Sequence, residues 1–235
     1  MVSALDEGVF GFPRDRRDVL LAPADVVVHL RSSYGISKDG TNLISRWADL
    51  SKNGYHFIQA TATNQPLFVQ NGLNGFPLVK HDGVDNFLSL SLAKFNPITI
   101  AVVFRVNDSS TKGIFSWAST PLSTTPFILV QRQSGNIRYY LNGNYRLTFA
   151  ATINTTYLHI LQYTGTQWEL YINGTLIPLT YGVLGSNAAT IFYLGAGYNG
   201  YPAVEFAELT IYNRSLSTVE RTLLQQVINY DYAIW

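Results

Sequence analysis

The stretch Ile98-Thr-Ile-Ala-Val-Val-Phe-Arg-Val106 is the clearest secondary-structure signal in the sequence. Successive side chains of a β-strand point to opposite faces, and the residues of this stretch divide accordingly. One face carries Ile98, Ile100, Val102, Phe104 and Val106, and the other carries Thr99, Ala101, Val103 and Arg105. Both faces are largely apolar, which predicts a central strand of a buried sheet.

Similar short segments lie on both sides of this strand. From Val26 onward, β-branched and aromatic segments alternate with Gly, Asn, Pro and Ser at intervals of about ten residues, a pattern typical of a β-sandwich or barrel. The dipeptides Asn142-Gly143 and Asn173-Gly174 predict hairpins, because both residues of a type I′ turn need positive φ. The predicted hairpins join 137–141 to 145–149 and 168–172 to 176–178, and together they predict a meander of adjacent antiparallel strands.

One helix is predicted near residues 217–230. Ser217 and Glu220 form a capping-box pattern, in which each side chain satisfies the backbone N–H of the other residue. An apolar stripe follows, formed by Val219, Leu223, Leu224, Val227 and Ile228.

The composition limits the classes of function. The chain has 235 residues, of which 47% are hydrophobic and 13% charged, and this suits one folded domain with a large core. The formal net charge of +1 gives no field that would attract nucleic acid. There is no Cys, hence no disulfide or thiolate metal site, and no apolar stretch long enough to predict a membrane partner.

The first 22 residues show no regular period and form a predicted N-terminal arm, followed by the domain at 23–235. The arm contains a charged cluster formed by Arg14, Asp15, Arg16, Arg17 and Asp18. It is interpreted either as a disordered lead-in or as a segment that becomes ordered on a neighbouring subunit.

Three blocks of the sequence resemble a known family. The segments are Trp47-Ala-Asp49-Leu-Ser51-Lys-Asn53-Gly54, then Phe76 to Leu88, and finally Phe206 to Ser217 with Glu220. They are similar to the laminin-G-like jelly-roll domains of the concanavalin A-like lectin and glucanase superfamily, except that His81 replaces the usual aromatic residue. The resemblance implies an all-β fold, a two-sheet antiparallel jelly-roll sandwich with a short C-terminal helix.

Domains of this class include lectins, adhesion modules, virion components and glycoside hydrolases, so function depends on the sites. The laminarinase-like hydrolases place two Glu and one Asp on one strand, and no such strand occurs here. Glu205 and Glu208 are the nearest pair, and their odd spacing predicts opposite faces of a strand. His159 is in phase with apolar neighbours and is interpreted as packing. The sequence therefore predicts no catalytic residue.

Two tyrosine-rich segments are candidate ligand-binding surfaces, because Tyr rings stack on sugars while amides bond to hydroxyls. The alternative is that both are structural turns whose Tyr residues pack over the sandwich edge. The first comprises Tyr198, Asn199 and Tyr201, and the second comprises Tyr140, Asn142, Asn144 and Tyr145.

Calcium is the one metal worth considering, because Asp82, Asp85 and Asn86 gather oxygen ligands in a turn. The alternative is that Asp82 and Gly83 simply build that turn. No other cofactor is expected.

A bacteriophage virion is the predicted setting, as a capsid decoration or a tail or fibre adhesin. It reconciles a recognition fold with the absence of a signal peptide and of Cys. The predicted partners are other virion proteins bound through the arm and a host-surface glycan, and the predicted assembly is a homo-oligomer, with a trimer favoured. The alternatives are a carbohydrate-binding module or lectin that is secreted or at the cell surface, and, third, a laminarinase-like hydrolase.

Overall fold

The computed structural model describes residues 25–179, 181–187 and 189–235. The predicted arm, with its charged cluster from Arg14 to Asp18, lies outside the described residues, so the boundary between arm and domain stays a prediction. No helix in the described part of the chain is long and apolar enough to cross a membrane.

The described residues form 17 β-strands, one 3-10 helix and one α-helix. In chain order the strands are β1 (Val26–Arg31), β2 (Ile36–Lys38), β3 (Ile44–Trp47), β4 (Phe57–Ile58), β5 (Leu67–Leu73), β6 (Phe76–Asp82), β7 (Leu88–Ser91), β8 (Ile98–Val106), β9 (Lys112–Ala118), β10 (Ile128–Gln133), β11 (Asn136–Leu141), β12 (Asn144–Ala150), β13 (Thr156–Tyr163), β14 (Trp168–Ile172), β15 (Thr175–Ile177), β16 (Ile191–Leu194) and β17 (Ala203–Tyr212). The 3-10 helix is Ala62–Asn64, and the helix α1 is Thr218–Tyr232.

The strands form two antiparallel sheets that pack face to face, which confirms the predicted sandwich. The eight-stranded sheet has the order β15-β14-β13-β8-β17-β6-β5, and β1 also pairs with β17. The nine-stranded sheet has the order β12-β11-β10-β9-β16-β7-β4-β3-β2. Strand β6 pairs with the first half of β17 and β1 with its second half, so both lie along one edge of that strand.

Strand β8 lies between β13 and β17, as a central strand should. The five residues predicted to share one face, from Ile98 to Val106, belong to the core between the sheets. On its other face Ala101 and Val103 belong to a second apolar cluster, which includes Leu224 and Ile228 of α1. The helix therefore covers the outer face of the eight-stranded sheet, and the outer face of the nine-stranded sheet has no comparable helix among the described residues.

Both predicted turns form. The φ angles are 54° at Asn142 and 74° at Gly143, and 48° at Asn173 and 83° at Gly174, which are the positive values that a type I′ turn requires. The predicted meander is wrong in one respect: β10-β11-β12 lie in the nine-stranded sheet and β13-β14-β15 in the other. The chain crosses the sandwich between β12 and β13.

The capping box at the start of α1 is confirmed. Ser217 Oγ accepts the N–H of Glu220 at 3.3 Å, and the Glu220 carboxylate accepts the N–H of Ser217 at 2.8 Å. The helix continues two residues past the predicted end, to Tyr232, which is fully buried. Val219 was predicted in the apolar stripe, but it is 69% exposed, so the buried stripe starts one turn later.

Candidate functional site

One row of paired residues crosses the outer face of the nine-stranded sheet. Residues directly opposite each other in an antiparallel sheet point to the same face, so the strand register defines the row. In order across the sheet it contains Arg46, Ile58, Ser89, Tyr193, Ser116, Leu129, Tyr140 and Tyr145. The row connects the two tyrosine-rich surfaces, because Tyr193 lies beneath the first and Tyr140 and Tyr145 belong to the second. Three strand spacings, about 14 Å, separate Tyr193 from Tyr140.

An open groove of about 520 Å³ lies at one end of this row, over β4 and β7. Its side chains combine exposed apolar groups with small polar ones: Tyr55 is 38% exposed and Ile58 is 55% exposed. No residue that lines the groove carries a carboxylate. We call this the β4–β7 groove, and it is lined by Gly54, Tyr55, His56, Ile58, Gln59, Ala60, Phe87, Ser89, Leu90 and Ser91.

An aromatic cluster forms one side of the groove. Phe87 stacks on Tyr201 with ring centroids 5.7 Å apart and an interplanar angle of 26°, and it contacts Tyr193 at 6.1 Å. Burial, together with the neighbouring Tyr201, raises the pKa of Tyr193, which keeps its hydroxyl neutral. The structure thus brings Tyr201, a predicted ligand-binding residue, against the groove.

Tyr201 belongs to the tyrosine loop, Gly195–Pro202, which lies over the middle of the outer face. Ser116 Oγ donates to the carbonyl of Ala196 at 2.9 Å, and Gln131 Nε2 donates to the carbonyl of Tyr198 at 3.3 Å. Tyr198 is 41% exposed and Asn199 is exposed beside it. The loop is therefore bonded to the sheet beneath while it presents both side chains to solvent.

Gly195 is required at the base of the tyrosine loop for two reasons. Its φ is +77°, a left-handed conformation, and an added Cβ would lie 2.1 Å from Nδ1 of His81. His81 is fully buried, its Nδ1 lies 3.1 Å from the carbonyl of Asn86, and burial lowers its pKa to about 4. His81 therefore places a neutral imidazole in the core beneath the loop.

The opposite side of the groove is the wall loop, Asp49–His56. The carboxylate of Asp49, which is 8% exposed, accepts hydrogen bonds from four donors. The donors are the N–H groups of His29 (2.8 Å), Ser51 (2.9 Å) and Tyr55 (3.0 Å) and the hydroxyl of Ser51 (2.6 Å). A single buried carboxylate thus fixes the loop against β1 and positions Tyr55.

Other residues of the same motif hold the wall loop in place. Ser51 Oγ, whose hydrogen goes to Asp49, also lies 3.0 Å from the carbonyl oxygen of Val27, and Asn53 Nδ2 donates to the carbonyl of Val26 at 2.9 Å. Trp47 Nε1 donates to the carbonyl of Arg31 at 3.1 Å. The Trp47–Gly54 motif, which the sequence identified only as a marker of fold, therefore builds one wall of the groove.

His56 is held with one ring nitrogen towards the protein. Its Nδ1 accepts the backbone N–H of Asp49 at 3.0 Å. A neutral imidazole that accepts at Nδ1 carries its proton on Nε2. Nε2 lies near Gly54, another residue of the groove, and no hydrogen bond to it is found in the described part of the chain. His56 therefore offers the groove an N–H donor.

The second predicted surface, at the tip of the β11–β12 hairpin, is only partly available to a ligand. Tyr140 and Tyr145 form an edge-to-face pair with centroids 5.9 Å apart, and Tyr145 is 51% exposed. The amide oxygen of Asn142 accepts the N–H of Asn187 at 2.9 Å, and Asn144 Nδ2 donates to the carbonyl of Asn142 at 3.0 Å. The two Asn side chains therefore support the turn, while Tyr145 is exposed and Tyr140 is half-buried.

The turn predicted to bind calcium is stabilised by its own hydrogen bonds. Asp82 Oδ1 accepts the N–H of Val84 at 2.9 Å, and the amide of Asn86 bonds to Asp82 N at 3.2 Å and, more weakly, to Asp85 at 3.5 Å. Lys112 Nζ donates to the carbonyl of Gly83 at 2.6 Å, which places an ammonium group at the turn. Within the described residues, no three His, Cys, Asp or Glu side chains are grouped to hold a metal. Calcium binding stays a prediction from the sequence.

Glu205 and Glu208 lie on the same face of β17, which corrects the prediction of opposite faces. The register with β8 shifts between Phe206 and Glu208, so Ala207 forms a β-bulge that reverses the alternation. Both carboxylates are occupied: Arg105 Nε donates to Glu205 at 2.6 Å, and the Tyr232 hydroxyl donates to Glu208 at 2.9 Å. Glu208 is 1% exposed beneath α1, where a substrate has no access.

Sequence reasoning missed most of the β4–β7 groove. A usable signal was present in Phe87-Leu-Ser-Leu-Ser91, whose strict alternation sends the two Leu residues inward and Phe87, Ser89 and Ser91 outward. Tyr55, His56 and Ile58 gave no such signal, because β4 has only two residues and its position depends on the wall loop.

No protein-family model matches the chain, and no curated protein matches it in sequence. Solved structures do match in fold. Trypanosoma rangeli sialidase in complex with sialic acid is 15% identical with a TM-score of 0.64, over 90% of this chain and 34% of that chain. The botulinum neurotoxin serotype D binding domain is 13% identical with a TM-score of 0.60, over 86% of this chain and 50% of that chain. The same values hold for that toxin's ligand binding domain in complex with N-acetylneuraminic acid.

These likenesses show a β-sandwich with a jelly-roll-like arrangement. The chain spans about a third of the sialidase chain and half of the toxin chain. One of these matches is an enzyme and the other a binding domain, so the shared fold is compatible with either kind of function.

Proposed function

We propose that this domain is a non-catalytic, lectin-like module that binds a glycan in the β4–β7 groove. The observation that carries the proposal is the composition of that groove. Tyr55 and Phe87 supply rings that can stack on the apolar face of a sugar, and Ser89, Ser91 and His56 supply hydroxyl and N–H groups for its hydroxyls. An open groove that mixes aromatic rings with a few polar groups is the usual form of a small-ligand site.

The proposal of a binding site, not a catalytic one, rests on where the carboxylates lie. Glycoside hydrolysis in its usual form needs two carboxyl groups on either side of the bond that breaks. The groove lining contains none, and Glu205 and Glu208 lie on the outer face of the other sheet, engaged with Arg105 and Tyr232. A saccharide in the groove would be bound without being cleaved.

The structural neighbours support a saccharide as the first ligand to test. The sialidase and toxin structures were obtained with sialic acid and with N-acetylneuraminic acid, and a part of each chain, 34% and 50% respectively, has this fold. At identities of 13–15%, no binding residue of those proteins can be assigned to this chain, so they support only the class of ligand.

We also propose the setting that the sequence predicts, in which the module is an attachment domain on a bacteriophage virion. The arm would anchor it to other virion proteins, and the open outer face of the nine-stranded sheet would meet a host-surface glycan. The support is that α1 covers one broad face of the sandwich and leaves the groove-bearing face available. A secreted or cell-surface lectin uses the same groove and is the alternative setting.

A glycan array and a titration with the best array ligand test the groove. Tyr55→Ala and Phe87→Ala are expected to weaken binding by about tenfold or more, because each removes a ring that stacks on the sugar. Tyr34→Ala is the matched control, since Tyr34 is 58% exposed and lies outside the groove. Binding that is equal in all four proteins would place the ligand elsewhere, and saturable binding to no glycan would overturn the proposed function.

A further inference from the structure

We propose that the β4–β7 groove recognises the acetamido group of an N-acetylated sugar, an inference that rests on the proposed glycan-binding function. An acetamido group presents three different surfaces: an apolar methyl group, a carbonyl acceptor and an N–H donor. The groove holds one partner for each of the three within a small area.

The methyl group matches Ile58. This side chain is 55% exposed on the outer face of β4, directly opposite Ser89 of β7. Ile58 lies between Arg46 of β3 and Ser89 of β7 on the outer face and leaves apolar area in contact with water. A methyl group that covers Ile58 removes that area from solvent. A sugar that carries only hydroxyl groups would place a polar group on Ile58 and gain nothing there.

The carbonyl oxygen matches His56. The Asp49 N–H occupies Nδ1 of the imidazole at 3.0 Å, which leaves the Nε2 proton as the remaining donor of a side chain that lines the groove. Because Phe57 is buried in the core, His56 and Ile58 lie on the same outer side of the chain. Two residues of extended chain separate them by about 7 Å, a span that a sugar ring and its acetamido substituent can bridge.

The amide N–H matches the hydroxyl groups of Ser89 and Ser91. Both lie on the outer face of β7 and line the groove, and in the described part of the chain neither makes a side-chain hydrogen bond. Each Ser hydroxyl can accept one hydrogen bond while it donates another. Since Ile58 and Ser89 are directly opposite, their Cβ atoms lie about 5 Å apart, so the methyl and N–H partners are adjacent.

Two matched sugar pairs test this inference on the full chain. The probes are the methyl glycosides of N-acetyl-D-glucosamine and D-glucose, and of N-acetyl-D-galactosamine and D-galactose, titrated by NMR. In at least one pair we expect the acetamido sugar to bind about tenfold more tightly than its parent, because the parent leaves the methyl and N–H partners unused. Equal affinity within both pairs, or tighter binding of the parents, overturns the inference.

Two substitutions at His56 separate its two nitrogens. The amide oxygen of His56→Asn can still accept the Asp49 N–H but does not reach the Nε2 position, so we expect the preference for the acetamido sugar to fall about fivefold. The longer side chain of His56→Gln places a donor near Nε2, so it should keep most of the preference while it loses the Asp49 contact. The same preference in His56→Asn as in the unsubstituted protein overturns the role of Nε2. A thermal melt of each variant confirms that it is folded.

The outcome distinguishes this inference from the function on which it rests. If the protein binds glycans on the array, Phe87→Ala abolishes that binding and acetamido sugars are not preferred, the groove binds glycans but with a different specificity. Binding of no sugar, acetamido or parent, overturns both.

Discussion

The hydroxyl of Tyr139 on β11 meets Nδ1 of His159 on β13 in the middle of the core, and this contact joins the two sheets. Tyr139 is 0% exposed and His159 is 1% exposed, and the rings of Phe104, Phe149 and Tyr157 surround the imidazole. Burial lowers the pKa of His159 to about 3 and raises the pKa of Tyr139 well above its usual value, so both groups are neutral. His159 therefore packs in the core, as the sequence indicates, and also forms a specific hydrogen bond with Tyr139.

Stability should fall as the pH is lowered below 6.5. His159 and His81 have pKa values of about 3 and about 4 in the folded protein, against about 6.5 in the unfolded chain. The unfolded chain therefore binds more protons in this range, and stability present above pH 6.5 is lost towards pH 4, by up to about 1.4 kcal/mol per pH unit for each histidine. Urea unfolding at half-unit steps from pH 8 to pH 5 measures the slope.

His159→Asn is the control for this prediction. Its amide oxygen lies near the Nδ1 position, where it can still accept the Tyr139 hydroxyl. The amide does not titrate, so between pH 6.5 and pH 5 the slope should decrease by about one proton per molecule. An unchanged slope would mean that His159 is protonated in the folded state, contrary to its burial.

The strands and turns whose signals are local could be predicted from the sequence. The alternation in Ile98–Val106, the Asn-Gly turns and the capping box at Ser217 depend on residues within about ten positions. The wall-loop side of the groove could not be predicted, because the position of Tyr55 and His56 depends on the contact of Asp49 with His29 of β1, 20 residues earlier in the chain. The bulge at Ala207 depends on pairing with β8, so the sequence also could not predict that Glu205 and Glu208 share a face.

Asp49→Asn should destabilise the domain and disrupt the wall loop. The substitution replaces a buried carboxylate that accepts four hydrogen bonds by an amide that turns a donor towards some of the same groups. We expect a loss of about 2–4 kcal/mol in the free energy of unfolding and weaker glycan binding, measured by urea unfolding and titration. Asp39→Asn is the control, because Asp39 makes similar turn contacts to Thr41 and Leu43 at an exposed site. If Asp39→Asn lowers the free energy of unfolding as much as Asp49→Asn, the burial of Asp49 is not the cause of the loss.

Gly195→Ala should displace the tyrosine loop. The new Cβ would lie 2.1 Å from His81 Nδ1, in a core that has no space for it, and we expect a loss of about 3 kcal/mol or more in the free energy of unfolding. Gly75→Ala separates this clash from backbone strain, since Gly75 has a similar φ of +85° and nothing within 4 Å of the added Cβ. Gly75→Ala should therefore lower the free energy of unfolding by only about 1–2 kcal/mol, the cost of a left-handed backbone at a residue other than glycine. Equal losses would remove the clash as the cause.

Chelation of calcium should leave the melting temperature unchanged. The hydrogen bonds of Asp82 and the contact of Lys112 with Gly83 account for the turn without a metal ion. Differential scanning calorimetry in EDTA and in millimolar calcium chloride measures the effect. A melt several degrees higher in calcium would instead establish the site predicted at Asp82 and Asp85.

Removal of the arm should convert the predicted trimer to a monomer and weaken binding to a glycan-coated surface. An open, shallow groove gives modest affinity alone, and simultaneous engagement of several copies raises apparent affinity by about 10²–10⁴ without any new contact. The truncated chain should begin at Pro23, because Asp25 bonds to Arg214 at 2.8 Å and must be kept. Light scattering gives the mass, and surface binding set against titration with free sugar gives the avidity. A full chain with R14E, R16E and R17E tests whether the charged cluster makes the contact. If the full and truncated chains have the same mass, the arm has no assembling role, and the groove must act at its monovalent affinity.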